Sequence, residues 1–232
     1  MKATLSVMGN SAHVFRPLSD SSTRSRVSDA IREAIFAGQI RPGDALIELR
    51  LAEQFQVSQT TIREALLHLE RSTLVRRVPN KGTFVTKLTP KDVNERYAVR
   101  AHLEEFAALE ASSRMTAENL EELQRLLDPL TAHILANRYF EAAQADLIFH
   151  RYIWTCSENK LLAELLEQVT APLMVFISLV RSQKHHDLKR VVHSHEIILQ
   201  ALKSRKKSAV RQAIEFHFDN PYQLGEPSSS NS

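Results

Sequence analysis

Apolar residues recur along this chain at helical spacing for most of its length, and the breaks in that rhythm mark where elements start and stop. Val27, Ile31 and Ile35 step by four, which predicts a helix from Thr23, with Gly38 as its left-handed stop. Ile40-Arg41-Pro42-Gly43-Asp44 then reads as a turn, because Pro fixes φ and Gly tolerates a positive one. A second helix is expected from Glu48 to Phe55, burying Leu51, Ala52 and Phe55. Ser58 is placed to cap a third. In it Ile62, Ala65, Leu66 and Leu69 share an inward face while Gln59, Thr60 and Arg63 face outward. Leu74 to Val78 and Thr83 to Thr86 read as two short strands joined by Pro79-Asn80-Lys81-Gly82, a hairpin signal with a cation at its tip. Three helices and a hairpin in this order predict a winged helix-turn-helix over residues 22–87.

Pro90, in Leu88-Thr89-Pro90-Lys91, marks a boundary, and residues 88–95 read as a linker. Beyond it, residues 96–222 read as helix upon helix. Val93, Tyr97, Arg100, Leu103, Glu104 and Ala107 trace one face of a helix to about Ser113. Leu120, Leu123, Leu127 and Leu130 trace the next, with Thr116 as its cap. Tyr139 to Cys156, Lys160 to about Arg181, Asp187 to Lys203 and Ser208 to Asn220 supply four more, and Pro221 ends the last. Residues 1–21 read as a flexible arm, and the Ser- and Asn-rich residues 223–232 as a disordered tail. The fold class is therefore mainly α, an N-terminal winged helix-turn-helix followed by an all-helical antiparallel bundle.

Composition sharpens this picture by exclusion. Only five glycines among 232 residues, and neither a G-x-G-x-x-G nor a Walker-type loop, argue against a nucleotide-cradling enzyme. The single Cys156 rules out an internal disulfide framework and suits a reducing cytoplasm. No secretory signal is expected at the N-terminus. The most apolar window, Leu161 to Val180, is interrupted by Glu164, Glu167 and Gln168 and reads as a core helix, so no membrane partner is expected. The net charge of +3 is unevenly shared: residues 1–88 hold 13 Lys and Arg against 8 Asp and Glu, the remainder 17 against 19. The cationic part is the one with the outward-facing Gln59, Thr60 and Arg63, groups suited to base edges in the major groove of double-stranded DNA.

The pieces "IREAIFAGQIRPGDAL", "LAEQFQVSQTTIREALLHLE" and "LVRRVPNKGTFV" resemble, in order and spacing, the GntR family of bacterial transcriptional regulators. The resemblance implies that Gln59 and Arg63 approach bases, with Thr60 and Arg50 beside them, and that Asn80, Lys81 and Gly82 form the wing near the minor groove. The chain departs from the family at three places. Gln59 stands where many relatives have Arg, Leu49 where the FadR-type branch has a base-region Arg, and Gln56 at a turn position where Gly is usual.

Four residues of the second half carry candidate chemistry of another kind. Asp146 and His150 are four apart and leave one helix face together, while His195 and His217 sit on later helices whose apolar neighbours turn them inward. Spacing alone leaves open whether they hold a metal or are simply satisfied interior residues. "ADLIFHRYI", "HSHEIILQAL" and "AIEFHF" resemble the metal-carrying segments of the FCD effector domain found in the FadR-type branch. That resemblance implies a divalent ion (Zn, Ni, Mn or Fe) on Asp146, His150, His195 and His217, with Arg100 anchoring a small carboxylate effector; the competing role for Arg100 is an ion pair with Glu104 one turn on. Arg205-Lys206 replaces a Gly-Asp turn common in relatives, and His193 is given no role. The function expected is a ligand-responsive repressor, a cytoplasmic homodimer on a palindromic operator, and not an enzyme. The alternative is a metal-dependent hydrolase or lyase using the Asp/His site.

Overall fold

The computed structural model describes residues 23–183 and 189–219; the expected arm and tail lie outside them, as do Asp187, Asn220 and Pro221. Residues 23–88 build the predicted head. Helix α1 (Thr23–Phe36) packs across α3 (Gln59–Arg71), and α2 (Glu48–Phe55) leans on α3. Ile31, Ile35, Ile62, Ala65 and Leu69 are buried between them, as the stepwise apolar pattern requires. Strands β2 (Val75–Val78) and β3 (Gly82–Val85) pair antiparallel, Val75 opposite Val85 and Val78 opposite Gly82. A third strand, β1 (Ala45–Leu46), adds to β3's other edge. At two residues it is too short to show any alternation, which is why no periodic signal announces it.

Local chemistry fixes the turn that presents α3. Gln56 closes α2 with φ at 52°, a left-handed conformation that costs a non-glycine residue about 1–2 kcal/mol. Its backbone N–H reaches the carbonyls of Ala52 and Glu53, which offsets part of that cost. Ser58 then caps α3, its hydroxyl oxygen accepting from the Thr61 N–H at 3.1 Å.

Among the described residues six helices make the body: α4 (Pro90–Arg114), α5 (Ala117–Leu135), α6 (Tyr139–Cys156), α7 (Lys160–Gln183), α8 (Lys189–Ser204) and α9 (Lys207–Phe218). Thr89 and Asp92 form a capping box, and Pro90 opens α4, so from Pro90 onward the segment read as a linker is helix. A second box, Thr116 with Asn119, starts α5. Helix α6 lies against both α5 and α7, while α4 packs on α7 and α9, and α8 on α5 and α9. Lys160–Val180 is long and apolar enough to cross a membrane by length and composition, but half of that window is buried inside the bundle. Arg205 follows α8 with φ at 56° and donates to the Met115 carbonyl at 2.8 Å. It takes the left-handed position that a glycine would fill at less cost.

Head and body meet at a defined joint. Pro172, inside α7, has no N–H, so the Gln168 carbonyl one turn back lacks its helical donor. Two side chains from outside the helix supply the missing bonds: Thr73 Oγ1, at the end of the head's last helix, at 2.6 Å, and Arg96 Nη1 of α4 at 2.7 Å. The head also meets α6, where Gly38 (φ +70°) faces the ring of Phe140 so closely that a Cβ there would come within 2.6 Å of it.

Candidate functional site

Gln59, Thr60 and Arg63 are all exposed on the first turns of α3, and Arg50 is exposed on the neighbouring α2. Asn80, Lys81 and Gly82 stand exposed at the hairpin tip, where Asn80 (φ 59°) and Gly82 (φ 102°) make the turn. The surface is organised by Glu48, a residue that helical periodicity does not single out. Its Oε2 accepts from Gln59 Nε2 at 2.9 Å and from Arg63 Nε at 2.6 Å, tying two side chains of α3 to α2. Eleven and fifteen residues separate these partners, so helical spacing could not reveal the contact.

The second site lies inside the body. Helix α6 projects Asp146 and His150 from one face, α8 brings His195 and α9 brings His217. One ring nitrogen from each of the three histidines lies within 4.8 Å of the others. Asp146 approaches two of them, its Oδ1 being 3.7 Å from His150 Nε2 and its Oδ2 3.5 Å from His195 Nε2, while the 4.8 Å cluster itself consists of the three histidines. The Phe149 ring stands edge-on to His150 and His195, walling the centre with apolar surface.

Each imidazole is held through Nδ1. His150 Nδ1 lies 3.1 Å from Glu104 Oε2, and His195 Nδ1 lies 2.7 Å from the Val191 carbonyl. His217 Nδ1 lies 2.9 Å from the Ser194 hydroxyl oxygen, whose own proton goes to the same Val191 carbonyl. The carboxylate and the carbonyl select the Nδ1–H tautomer of His150 and His195 and put the lone pair on Nε2. Among the described residues neither His150 Nε2 nor His195 Nε2 has a hydrogen-bond partner, and both are buried, an arrangement that costs about 1–3 kcal/mol per group unless something else takes the lone pairs. A divalent cation is the chemical species that fits: up to three neutral imidazoles, one carboxylate, and partners already fixing the far nitrogens.

Electrostatics favour the same occupant. Burial drives the His195 pKa down to about 4, with Asp146 opposing and His150 assisting, so the ring is neutral at pH 7. Burial alone would raise the Glu104 carboxyl, but its interactions with the His150 ring and the Arg100 guanidinium, together with the hydrogen bonds from His150 and Trp154, outweigh it and hold it at about 2. Arg100, only 2% exposed, makes the ion pair with Glu104 and also turns toward the centre. Its Nε donates to Glu104 at 3.1 Å, while its Nη2 makes no hydrogen bond among the described residues and lies 3.9 Å from Asp146 Oδ1. His193 is exposed and 3.7 Å from Glu196, away from the centre.

Known proteins share this architecture. The model described as "Bacterial regulatory proteins, gntR family" matches residues 23–85, and the FCD domain model matches residues 95–220. The HTH-type transcriptional regulator YdhC of Bacillus subtilis is 30% identical over 191 residues, covering 82% of this chain and 85% of the relative. The gluconate operon transcriptional repressor of the same organism is 30% identical over 208 residues, covering 88% and 85%. Among solved structures, E. coli McbR/YncC superposes with a TM-score of 0.75 at 25% identity, covering 86% of this chain and 94% of the other.

Proposed function

The chain belongs to the GntR family of bacterial transcriptional regulators and carries an FCD domain in its helical half, and from that premise we propose a repressor governed by a divalent ion and a small carboxylate held in the body. The family consists of DNA-binding regulators and not enzymes, so the hydrolase or lyase alternative is set aside. Repression is the sense suggested by the gluconate operon repressors among the relatives.

One observation carries the reading of the body: buried His150 Nε2 and His195 Nε2 converge on Asp146, next to His217 and to an Arg100 Nη2 that no hydrogen bond among the described residues satisfies. Asp146, His150, His195 and His217 would hold the ion. Once bound it would supply a positive centre, of residual charge near +1, with positions open to an oxygen donor. Arg100 then orients an incoming carboxylate through a charge-assisted bond, and Phe149 and Phe218 exclude water from it. In the head, Gln59, Thr60, Arg63 and Arg50 address bases, and Asn80, Lys81 and Gly82 reach the groove beside them. Two such heads in a homodimer would read a palindrome, with avidity gained from the linkage.

Elemental analysis of protein purified without chelator tests the ion. About one ion per chain is expected, and it should be lost in the His195→Ala/His217→Ala double variant. A metal-free parent, or a double variant that retains the ion, contradicts the site.

A further inference from the structure

Glu104 belongs to neither the ion's ligand set nor the carboxylate's anchor, yet it touches both. It lies on α4 with no exposed surface, and three donors converge on it: Arg100 Nε at 3.1 Å on Oε1, and His150 Nδ1 at 3.1 Å and Trp154 Nε1 at 2.9 Å on Oε2. We propose that Glu104 is a positioning residue that sets the tautomer of His150 and aims Arg100, so that one buried carboxylate holds the ion-binding and anion-binding side chains in register. The proposal rests on the metal-and-carboxylate reading above.

Two partners of Glu104, His150 and Arg100, have unproductive alternatives that the carboxylate removes. A neutral imidazole next to Asp146 can place its proton on Nε2 and donate it to that carboxylate, 3.7 Å away, which occupies the lone pair an ion needs. Giving Nδ1–H a full negative charge to bond removes that option. Among the described residues the Nδ1 atoms of the other two imidazoles meet neutral groups, the Val191 carbonyl and the Ser194 hydroxyl, whereas the Nδ1 of His150 meets an ionised one that makes its ring more basic. On the opposite oxygen the same carboxylate engages Arg100 through Nε, and that choice of nitrogen leaves Nη2 directed toward Asp146 and the centre. An amide cannot replace it: with one oxygen and one NH2, it would face at least one of the three donors with another donor.

The test uses the full chain, stripped with chelator, and Co2+ as the probe. Histidine 15N spectra of the metal-free parent in mildly alkaline buffer should show His150 as the Nδ1–H tautomer; an Nε2–H tautomer overturns the proposal whatever the variants do. Glu104→Gln should weaken Co2+ binding by about 10–100-fold and shift the His150 signal away from that tautomer. Trp154→Phe removes one donor but leaves the Glu104–His150 and Glu104–Arg100 bonds, and should change Co2+ affinity by less than about threefold even though it lowers the melting temperature. Equal Co2+ affinity in the parent and Glu104→Gln, or equal losses in both variants, reduces Glu104 to a structural role and overturns the inference. A parent that binds no Co2+ contradicts the metal reading itself, an outcome separate from these.

Discussion

The head and the body keep their proposed DNA-reading and ion-holding side chains in opposite environments. Gln59, Thr60, Arg63 and Lys81 project into solvent from elements whose core is complete without them. Arg100, Glu104, Asp146, His150 and His195 are at most 4% exposed, and they are part of the packing of the bundle. The proposed roles are therefore separable from stability in the head and inseparable from it in the body. One Glu-Arg pair from each region makes the contrast concrete. Glu48–Arg63 is a partly exposed ion pair that a duplex can compete for, whereas Glu104–Arg100 is sealed, so neither partner can lose the other without a large penalty.

The largest effect should come from breaking the sealed pair. Arg100→Met leaves the Glu104 and Asp146 charges buried without it and should cost about 3–5 kcal/mol in denaturant unfolding. Arg63→Ala should cost less than about 1 kcal/mol in the same assay. Similar costs for the two would erase the distinction between the regions.

Acid should separate the regions next. In metal-stripped protein, His195 binds its proton only near pH 4, whereas in the unfolded chain it does so near 6.5, so the unfolded state takes up protons first as the pH falls. Stability present above pH 6.5 is then lost across the window from 6.5 to 4, on the order of 3 kcal/mol at its end. Glu104, held at about 2 against an ordinary 4.5, extends the loss below pH 4.5. Thermal melts of the parent and His195→Asn across this range check the upper limb, which should flatten in the variant.

In the head the measured quantity changes from stability to DNA affinity. Arg63→Ala should weaken binding to DNA selected from a random pool by about 1–3 kcal/mol and relax base preference at one position per half-site. Thr73→Val, at the joint, should cost about 1 kcal/mol of stability by removing one of the two bonds to the Gln168 carbonyl, while leaving base preference intact. The smallest effect is expected for Lys81→Ala, which should reduce the slope of log affinity against log salt by about one without changing base preference. A changed sequence profile would instead make Lys81 a reader of bases.

Legibility in the sequence divides between local and distant partners. The head's helices announce themselves because local signals agree: Ser58 caps, Ile62, Ala65, Leu66 and Leu69 point inward, and the hairpin carries its turn residues. Asp146 and His150 are equally visible, since four residues on one helix guarantee a shared face. What local spacing cannot show is any partnership across elements. Glu48 with Arg63, Glu104 with His150 forty-six residues away, and Thr73 with Gln168 ninety-five residues away depend on how helices stack. Pro172 is a weak pointer to the last of these, because a proline inside a helix always leaves one carbonyl seeking a donor.

The claim that the buried centre governs the exposed reader is tested most directly by DNA affinity measured against a series of small carboxylates, for the metal-loaded parent and for the His195→Ala/His217→Ala variant. At least one carboxylate should change the parent's Kd by about 5–150-fold, equivalent to 1–3 kcal/mol of coupling, and leave the variant's Kd unchanged. A parent whose DNA affinity ignores every carboxylate in the series, or a variant that responds as the parent does, would contradict it.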